Sequence, residues 1–173
     1  MASTQALYRA CTLTALVADN SSNVFFAING AASKRIKVRS IRLSCPTLTA
    51  ATLLDLLVQK CSAAQTGGTP GTAMTKTPMS SGLGAASATV TVYTAGATIG
   101  TLVGTVASRR VMGLTATPVA TDSRPEVVID LCGEGHLDGL SLDSAAETVV
   151  MKFGSAPGSA TSMTIELEWS EHS

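Results

Sequence analysis

Arg35-Ile36-Lys37-Val38-Arg39-Ser40-Ile41-Arg42-Leu43 alternates cation and aliphatic along most of its length. Lys37, Arg39 and Arg42 point one way; Ile36, Val38, Ile41 and Leu43 point the other. An apolar residue at every second position is the pattern of a strand with one buried face and one wet face. The phase slips at Ser40, because Val38 and Ile41 stand three apart, and one extra residue in a strand signals a β-bulge. Pro46 ends the strand. The stretch sets the class as β and gathers the densest charge of the chain on one exposed strip.

The flanks continue the theme. Val24–Ile28 is a short strand closed by the turn dipeptide Asn29-Gly30. Asp19-Asn20-Ser21-Ser22-Asn23 before it is a turn cluster. Residues 5–18 have no decisive period, so residues 1–18 read as an N-terminal arm or a first strand, ahead of a β domain over 19–173. Residues 49–61 are ambiguous. Leu53, Leu54, Leu57 and Val58 fit a helical face, whereas Leu54, Leu56 and Val58 fit a strand. The β character of the preceding segments favours the strand. If 35–45 and 51–61 pair as a hairpin, Cys45 and Cys61 stand at opposite ends, too far apart to bridge.

Downstream, residues 62–72 form a Gly/Thr loop, and Met74–Thr77 reads as an edge strand before Pro78. Between 87 and 94, Ala88, Val90 and Val92 point inward and Thr89, Thr91 and Tyr93 outward. Further strands are predicted over Leu102–Met112, Glu126–Leu131, Leu137–Leu142, Glu147–Phe153 and Met163–Trp169, with a loop over 113–125. In the last strand Ile165, Leu167 and Trp169 share one face, while Glu166 and Glu168 share the other. Beside residues 36–43 those carboxylates would meet Lys37, Arg39 and Arg42, so the two strands are predicted neighbours. Many short strands with turn signals between them predict an all-β fold, an antiparallel β-sandwich or jelly roll.

Composition narrows the function. The chain has 173 residues, a formal net charge of zero and only 14% charged residues, well short of the usual quarter. A neutral chain with no Lys/Arg block lacks the footprint of a general nucleic-acid binder. No apolar run is long enough to span a bilayer, and the N-terminus lacks a basic segment followed by an apolar one. Synthesis in a cytoplasm, with no membrane or nucleic-acid partner, is the expectation. Cys11, Cys45, Cys61 and Cys132 show no CxxC pair and no metal spacing, and read as small buried apolar residues.

The chemistry-bearing residues are sparse. Cys132-Gly133-Glu134-Gly135-His136 brings a thiol, a carboxylate and an imidazole together and is the best enzyme-like constellation. Nucleophilic catalysis needs a base held rigidly by a third group, and glycines around a histidine mark a turn instead. His172 is the other imidazole. Asp138 and Asp143 lack the oxygen count of a calcium loop. Gly67-Gly68-Thr69-Pro70-Gly71-Thr72 lacks the phosphate-loop pattern, and Arg109-Arg110 is a local basic pair. A carbohydrate face would want coplanar aromatics, and aromatics are 3% of the chain. The expectation is a non-enzymatic protein with no catalytic residue, metal or cofactor. The strip Lys34–Arg42 reads first as a solvated strand face, and second as a contact for an acidic partner or nucleic acid.

The order of several motifs resembles a group of small tailed-bacteriophage virion proteins. These are Arg35-Ile36-Lys37-Val38-Arg39, then Ser62-Ala63-Ala64-Gln65-Thr66-Gly67-Gly68-Thr69, then Ala88-Thr89-Val90-Thr91-Val92-Tyr93-Thr94. Gly133-Glu134-Gly135 and Glu166-Leu167-Glu168-Trp169-Ser170-Glu171 follow, so the likeness is spread over most of residues 24–171. The four cysteines and the Leu-rich run at 53–57 depart from the pattern. The resemblance implies a β-sandwich structural subunit of the particle, a capsid decoration (cement) protein. Its partners would be the major capsid protein or other virion subunits, and it would be a homo-oligomer, a trimer being favoured. Leu7, Tyr8 and Arg9 in the candidate arm, and Lys37, Arg39 and Arg42 on the strip, are the interface candidates. The alternatives are a neck, collar or tail component, and a receptor- or glycan-binding β-sandwich module.

Overall fold

A computed structural model describes residues 5–12, 16–18, 22–44, 46–49, 52–115, 126–132 and 139–173. Every regular element among them is a strand. In chain order these are β1 (Gln5–Cys11), β2 (Leu16–Ala18), β3 (Val24–Asn29), β4 (Arg35–Leu43) and β5 (Thr47–Leu48). Next come β6 (Thr52–Cys61), β7 (Thr69–Pro70), β8 (Thr75–Pro78), β9 (Thr89–Ala97) and β10 (Leu102–Thr115). The last are β11 (Val127–Asp130), β12 (Leu140–Leu142), β13 (Thr148–Phe153), β14 (Thr161–Met163) and β15 (Ile165–His172).

The strands form two sheets. One runs β11-β4-β15-β1-β8, with β12 also on β4 beside β11; the other runs β2-β14-β5-β10-β6-β13-β3-β9-β7. Pairing is antiparallel except where the end of β10 lies parallel to β5, at Leu114↔Thr47 and Thr115↔Leu48. That end of the larger sheet curls into a half-barrel.

The decisive strand behaves as its alternation predicts. On β4, Ile36, Val38, Ile41 and Leu43 are buried and the cations are not. The bulge falls one residue from Ser40: Glu168 faces Ser40 and Trp169 faces Val38, which leaves Arg39 as the extra residue. The predicted neighbour is also found, since β15 pairs with β4 from Ile165↔Leu43 to His172↔Arg35. Sheet alternation turns Ile165, Leu167 and Trp169 to the same interior as Ile36, Val38 and Ile41.

Two readings need correction. Residues 49–61 are strand β6, but they do not pair with β4: β6 is flanked by β10 and β13, in the other sheet. Both edges of β4 are already taken, by β15 and by β11 with β12. Cys45 lies outside the described residues. Tyr93, predicted to face solvent, is buried in a second small cluster with Val24, Ala27, Cys61, Ala97 and Val150. The loop after β6 covers that outer face, where the Gln65 side chain donates to the Tyr93 hydroxyl at 2.8 Å. Gly68, at φ +77, lies where an added Cβ would meet Ala95 and Ala97 at 2.9 Å, so only glycine lets this loop sit so close. Of the two readings of the N-terminal segment, arm or first strand, residues 5–11 take the strand. β1 is interior to its sheet, between β15 and β8.

One large hydrophobic cluster joins the two sheets. It takes Tyr8, Ile36, Val38, Ile41, Leu167 and Trp169 from one and Phe26, Ile28, Leu54, Val58, Met151 and Phe153 from the other. The scarce aromatics are spent here: Tyr8 stacks on Trp169 at 5.6 Å, and Phe25 packs on Phe153 at 4.9 Å.

Candidate interaction surface

The outer face of the smaller sheet carries the charged strip, and cross-strand register decides what that charge does. Arg9 on β1 stands opposite Glu168 on β15. Its guanidinium donates to Glu168 Oε2 at 2.9 Å, and its Nε lies 3.2 Å from Glu166 as an ion pair without hydrogen-bond alignment. The hydrogen bond to Glu168, helped by both carboxylate charges, raises the Arg9 pKa against the opposing effect of burial. Arg39 reaches the same Glu168 at 3.5 Å, and Arg42 reaches Glu126 at 4.0 Å. Lys37 faces Ser170 across the ladder. The strip is thus a ladder of paired charges, which blunts it as an attractor of polyanions.

These pairs are half-exposed, and such pairs contribute little. Arg9→Ala is expected to lower stability by about 1 kcal/mol or less, the loss shrinking with added salt. Thermal melts at low and high ionic strength check it; a salt-independent loss of several kcal/mol would contradict it.

The interface candidates from the sequence divide accordingly. Arg9, Arg39 and Arg42 lie on this ion-paired face. Tyr8 is buried, with its hydroxyl donating to the Gly84 carbonyl at 3.1 Å. Burial, then the charge of Glu171, push its pKa up. Leu7 is half-buried, and its carbonyl accepts from the Met79 N–H at 2.9 Å.

Glu171 is the residue the sequence concealed. It is 1% exposed, yet its carboxylate accepts from the Ser87 N–H at 2.8 Å, the Ala88 N–H at 3.0 Å and the Trp169 indole N–H at 3.1 Å. Burial by itself would raise its pKa, but the donors from Ala88, Ser87 and Trp169 outweigh it and hold the carboxyl below its ordinary value. This carboxylate ties the segment before β9 to the last strand.

The apolar surface lies elsewhere, on β6 and β10. Leu53, Leu102, Val103, Val106 and Met112 are 58%, 50%, 62%, 40% and 48% exposed. Leu53 and Met112 face each other across the two strands. Leu102 and Val103 lie at the far end of β10, roughly 30 Å away at strand spacing. Between them Arg110 forms a fork with Asp55, 2.9 Å at its shorter arm. That hydrogen bond is the main cause of the lowered Asp55 pKa. The sequence signal was available: β10 lacks the period-2 alternation of β4 and β9, and it is exposed along most of Leu102–Arg110 and buried only at Val111 and Gly113.

The enzyme-like constellation is described only at Cys132; Glu134 and His136 lie outside the described residues. Cys132 Sγ sits 3.7 Å from the Arg39 carbonyl, and its N–H donates to Asp130. Among the cysteines, Cys61 is buried as expected, and burial pushes its thiol pKa up. Cys11, expected inside, is exposed because it is on the outward phase of β1. No group of three metal-ligating side chains occurs among the described residues. A shallow polar depression of about 470 Å³ beside Lys34, Arg35, Asp143 and His172 offers mostly long flexible side chains.

Comparison of the chain with protein-family models, with curated proteins and with solved structures finds no match.

Proposed function

We propose that this chain is a non-enzymatic structural subunit of a bacteriophage virion, a decoration protein that binds the outer capsid shell and bridges neighbouring capsomers. The observation that carries the reading is the exposed aliphatic side chains at the two ends of the β6–β10 pair, Leu53 with Met112 and Leu102 with Val103, on a two-sheet body. Apolar residues scattered singly need no explanation, but exposed aliphatics that sit in pairs, as Leu53 does with Met112, favour contact with another protein. The motif order noted in the sequence supports the same assignment.

In this reading the two sheets act as a β-sandwich or jelly-roll block, and work is done by area rather than chemistry. Each subunit adds modest buried surface. Several engaged at once multiply it, so that a shell resists internal pressure through many weak contacts. The paired charges on the opposite sheet keep the outward face soluble without recruiting nucleic acid.

The test is to image the particle at a resolution that places this chain and counts it. Many copies on the shell surface are expected. A few copies in a ring would move the protein to the neck, collar or tail. Absence from the particle would end the virion assignment, and a hit on a glycan array would then favour the receptor-binding module.

A further inference from the structure

Residues 80–87 carry the chain from β8, at the edge of the smaller sheet, to β9 in the larger one. They read Ser80-Ser81-Gly82-Leu83-Gly84-Ala85-Ala86-Ser87, with Leu83 the one large side chain. Leu83 and Ala86 pack partly buried against the main cluster, and the other residues are exposed. A Cβ added at Gly82 or Gly84 would meet nothing within 4 Å, so the backbone there lies open. Segments with few buried contacts and no ladder sit at the low end of local stability.

Side chains hold this segment down. Within it, the Leu83 N–H donates to the Ser80 carbonyl at 3.1 Å. Among the described residues, its hydrogen bonds to the body of the protein all end on side chains of the smaller sheet. The Tyr8 hydroxyl donates to the Gly84 carbonyl at 3.1 Å, and Lys76 Nζ donates to the carbonyls of Ala86 at 3.3 Å and Ala88 at 2.9 Å. Glu171 accepts from the N–H groups of Ser87 at 2.8 Å and Ala88 at 3.0 Å. Carboxylate and ammonium thus grip one short stretch of backbone, the first by its N–H groups and the second by its carbonyls.

We propose that residues 80–87 are a strap that opens as a unit while the sheets stay folded, and that protonation of Glu171 releases it. Three N–H groups, from Ser87, Ala88 and the Trp169 indole, converge on the carboxylate. Protonation adds a further donor among them and removes the charge that strengthens each bond. The other titratable groups around Glu171 are Tyr8 on β1 and Lys76 on β8, which meets it at Ala88. Tyrosine and lysine side chains keep their protons in acid, so neither trips the release. β4 and β1 face Glu171 with Ile36 and Ala6, and His172, next along β15, belongs to the outward phase. The closed strap holds the Glu171 carboxyl below its ordinary value, and opening moves it back toward that value. The open state therefore binds the proton more readily, and the open fraction rises by up to about tenfold per pH unit as pH falls between the two values.

The inference stands apart from the virion reading, since it concerns the purified chain. Amide exchange resolved residue by residue, corrected for intrinsic rate and followed from neutral pH into acid, tests it. Leu83, Ser87 and Ala88 report on the strap; Ile41 and Leu167 report on the ladder of β4 and β15. The expected result is that acid lowers the protection of the strap amides by roughly tenfold or more while the ladder amides keep theirs. Glu171→Gln should leave the strap amides weakly protected at both ends of the range, with no acid step. Lys76→Met, which keeps Glu171, should weaken their protection severalfold at neutral pH and retain the acid step, and this arm holds even where the glutamine variant fails to fold. Strap and ladder amides losing protection together, strap amides indifferent to acid, or strap amides indifferent to Lys76→Met would each overturn the proposal.

Discussion

A chain lacking residues 1–11 is expected to lose its cooperative unfolding transition altogether. Read as sequence, this segment is an arm or a first strand, and an arm could be removed with the domain left folded. Its place in the sheet decides for the strand. β1 pairs with β15 from Gln5↔His172 to Cys11↔Glu166, and with β8 from Tyr8↔Pro78 to Cys11↔Thr75. Ala6, Tyr8 and Ala10 are buried, and Tyr8 covers Trp169. Deletion uncovers the Trp169 ring, strips one edge of β15 and leaves β8 without its strand neighbour. Losing a buried aromatic alone typically costs about 3–5 kcal/mol, and a domain's whole stability is about 5–15 kcal/mol. Urea titration followed by Trp169 emission checks this. A truncated chain that unfolds at the wild-type midpoint would restore the arm.

Glu171→Ala is expected to cost about 3–5 kcal/mol, because the substitution leaves the buried N–H donors of Ala88 and the Trp169 indole, and the half-buried one of Ser87, with nothing to bind. Glu171→Gln keeps the shape but loses the charge and turns an amide NH₂ toward donors, so about 1.5–3 kcal/mol is expected. The pH dependence has a definite sign. The folded-state pKa of Glu171 lies below its ordinary value, so the unfolded chain binds this proton more readily than the folded one. The carboxylate's contribution is therefore complete above the ordinary glutamate pKa and is lost as pH falls through the folded value. Wild type should show a loss on acidification that Glu171→Gln lacks. Parallel acid profiles for the two proteins would show that Glu171 does not carry the effect.

The legible parts of the fold share one property: a single alternating strand was enough to read them. β4 displays its buried phase and nearly its bulge, β9 shows its inward valines, and the glutamates of β15 point to the cations of β4. The helix-or-strand ambiguity of β6 also resolved toward strand, because its two faces meet different environments: Leu54, Leu56 and Val58 the main core, and Cys61 the smaller cluster. Legibility failed where the environment came from a distant segment. Tyr93 is buried by the loop around Gln65, and no local pattern announces that. Glu171 looks like a solvated charge in a polar tail until the backbone of Ser87 and Ala88 arrives. Three of the interface candidates have surroundings set in the same way. Tyr8 is inside, and the arginines of β4 are engaged by Glu168 and Glu126.

The sequence by itself determined the class, the buried phase of the strongest strands, the pairing of β4 with β15, and the want of concentrated charge. These follow from side-chain periodicity and composition, which belong to each segment alone. Tertiary structure alone decided which sheet received β6, that residues 5–11 are an interior strand, and which face a loop would seal. Those are properties of long-range pairing. A strand's backbone offers two edges whatever its sequence, and only the competition among all the strands settles which edges are filled.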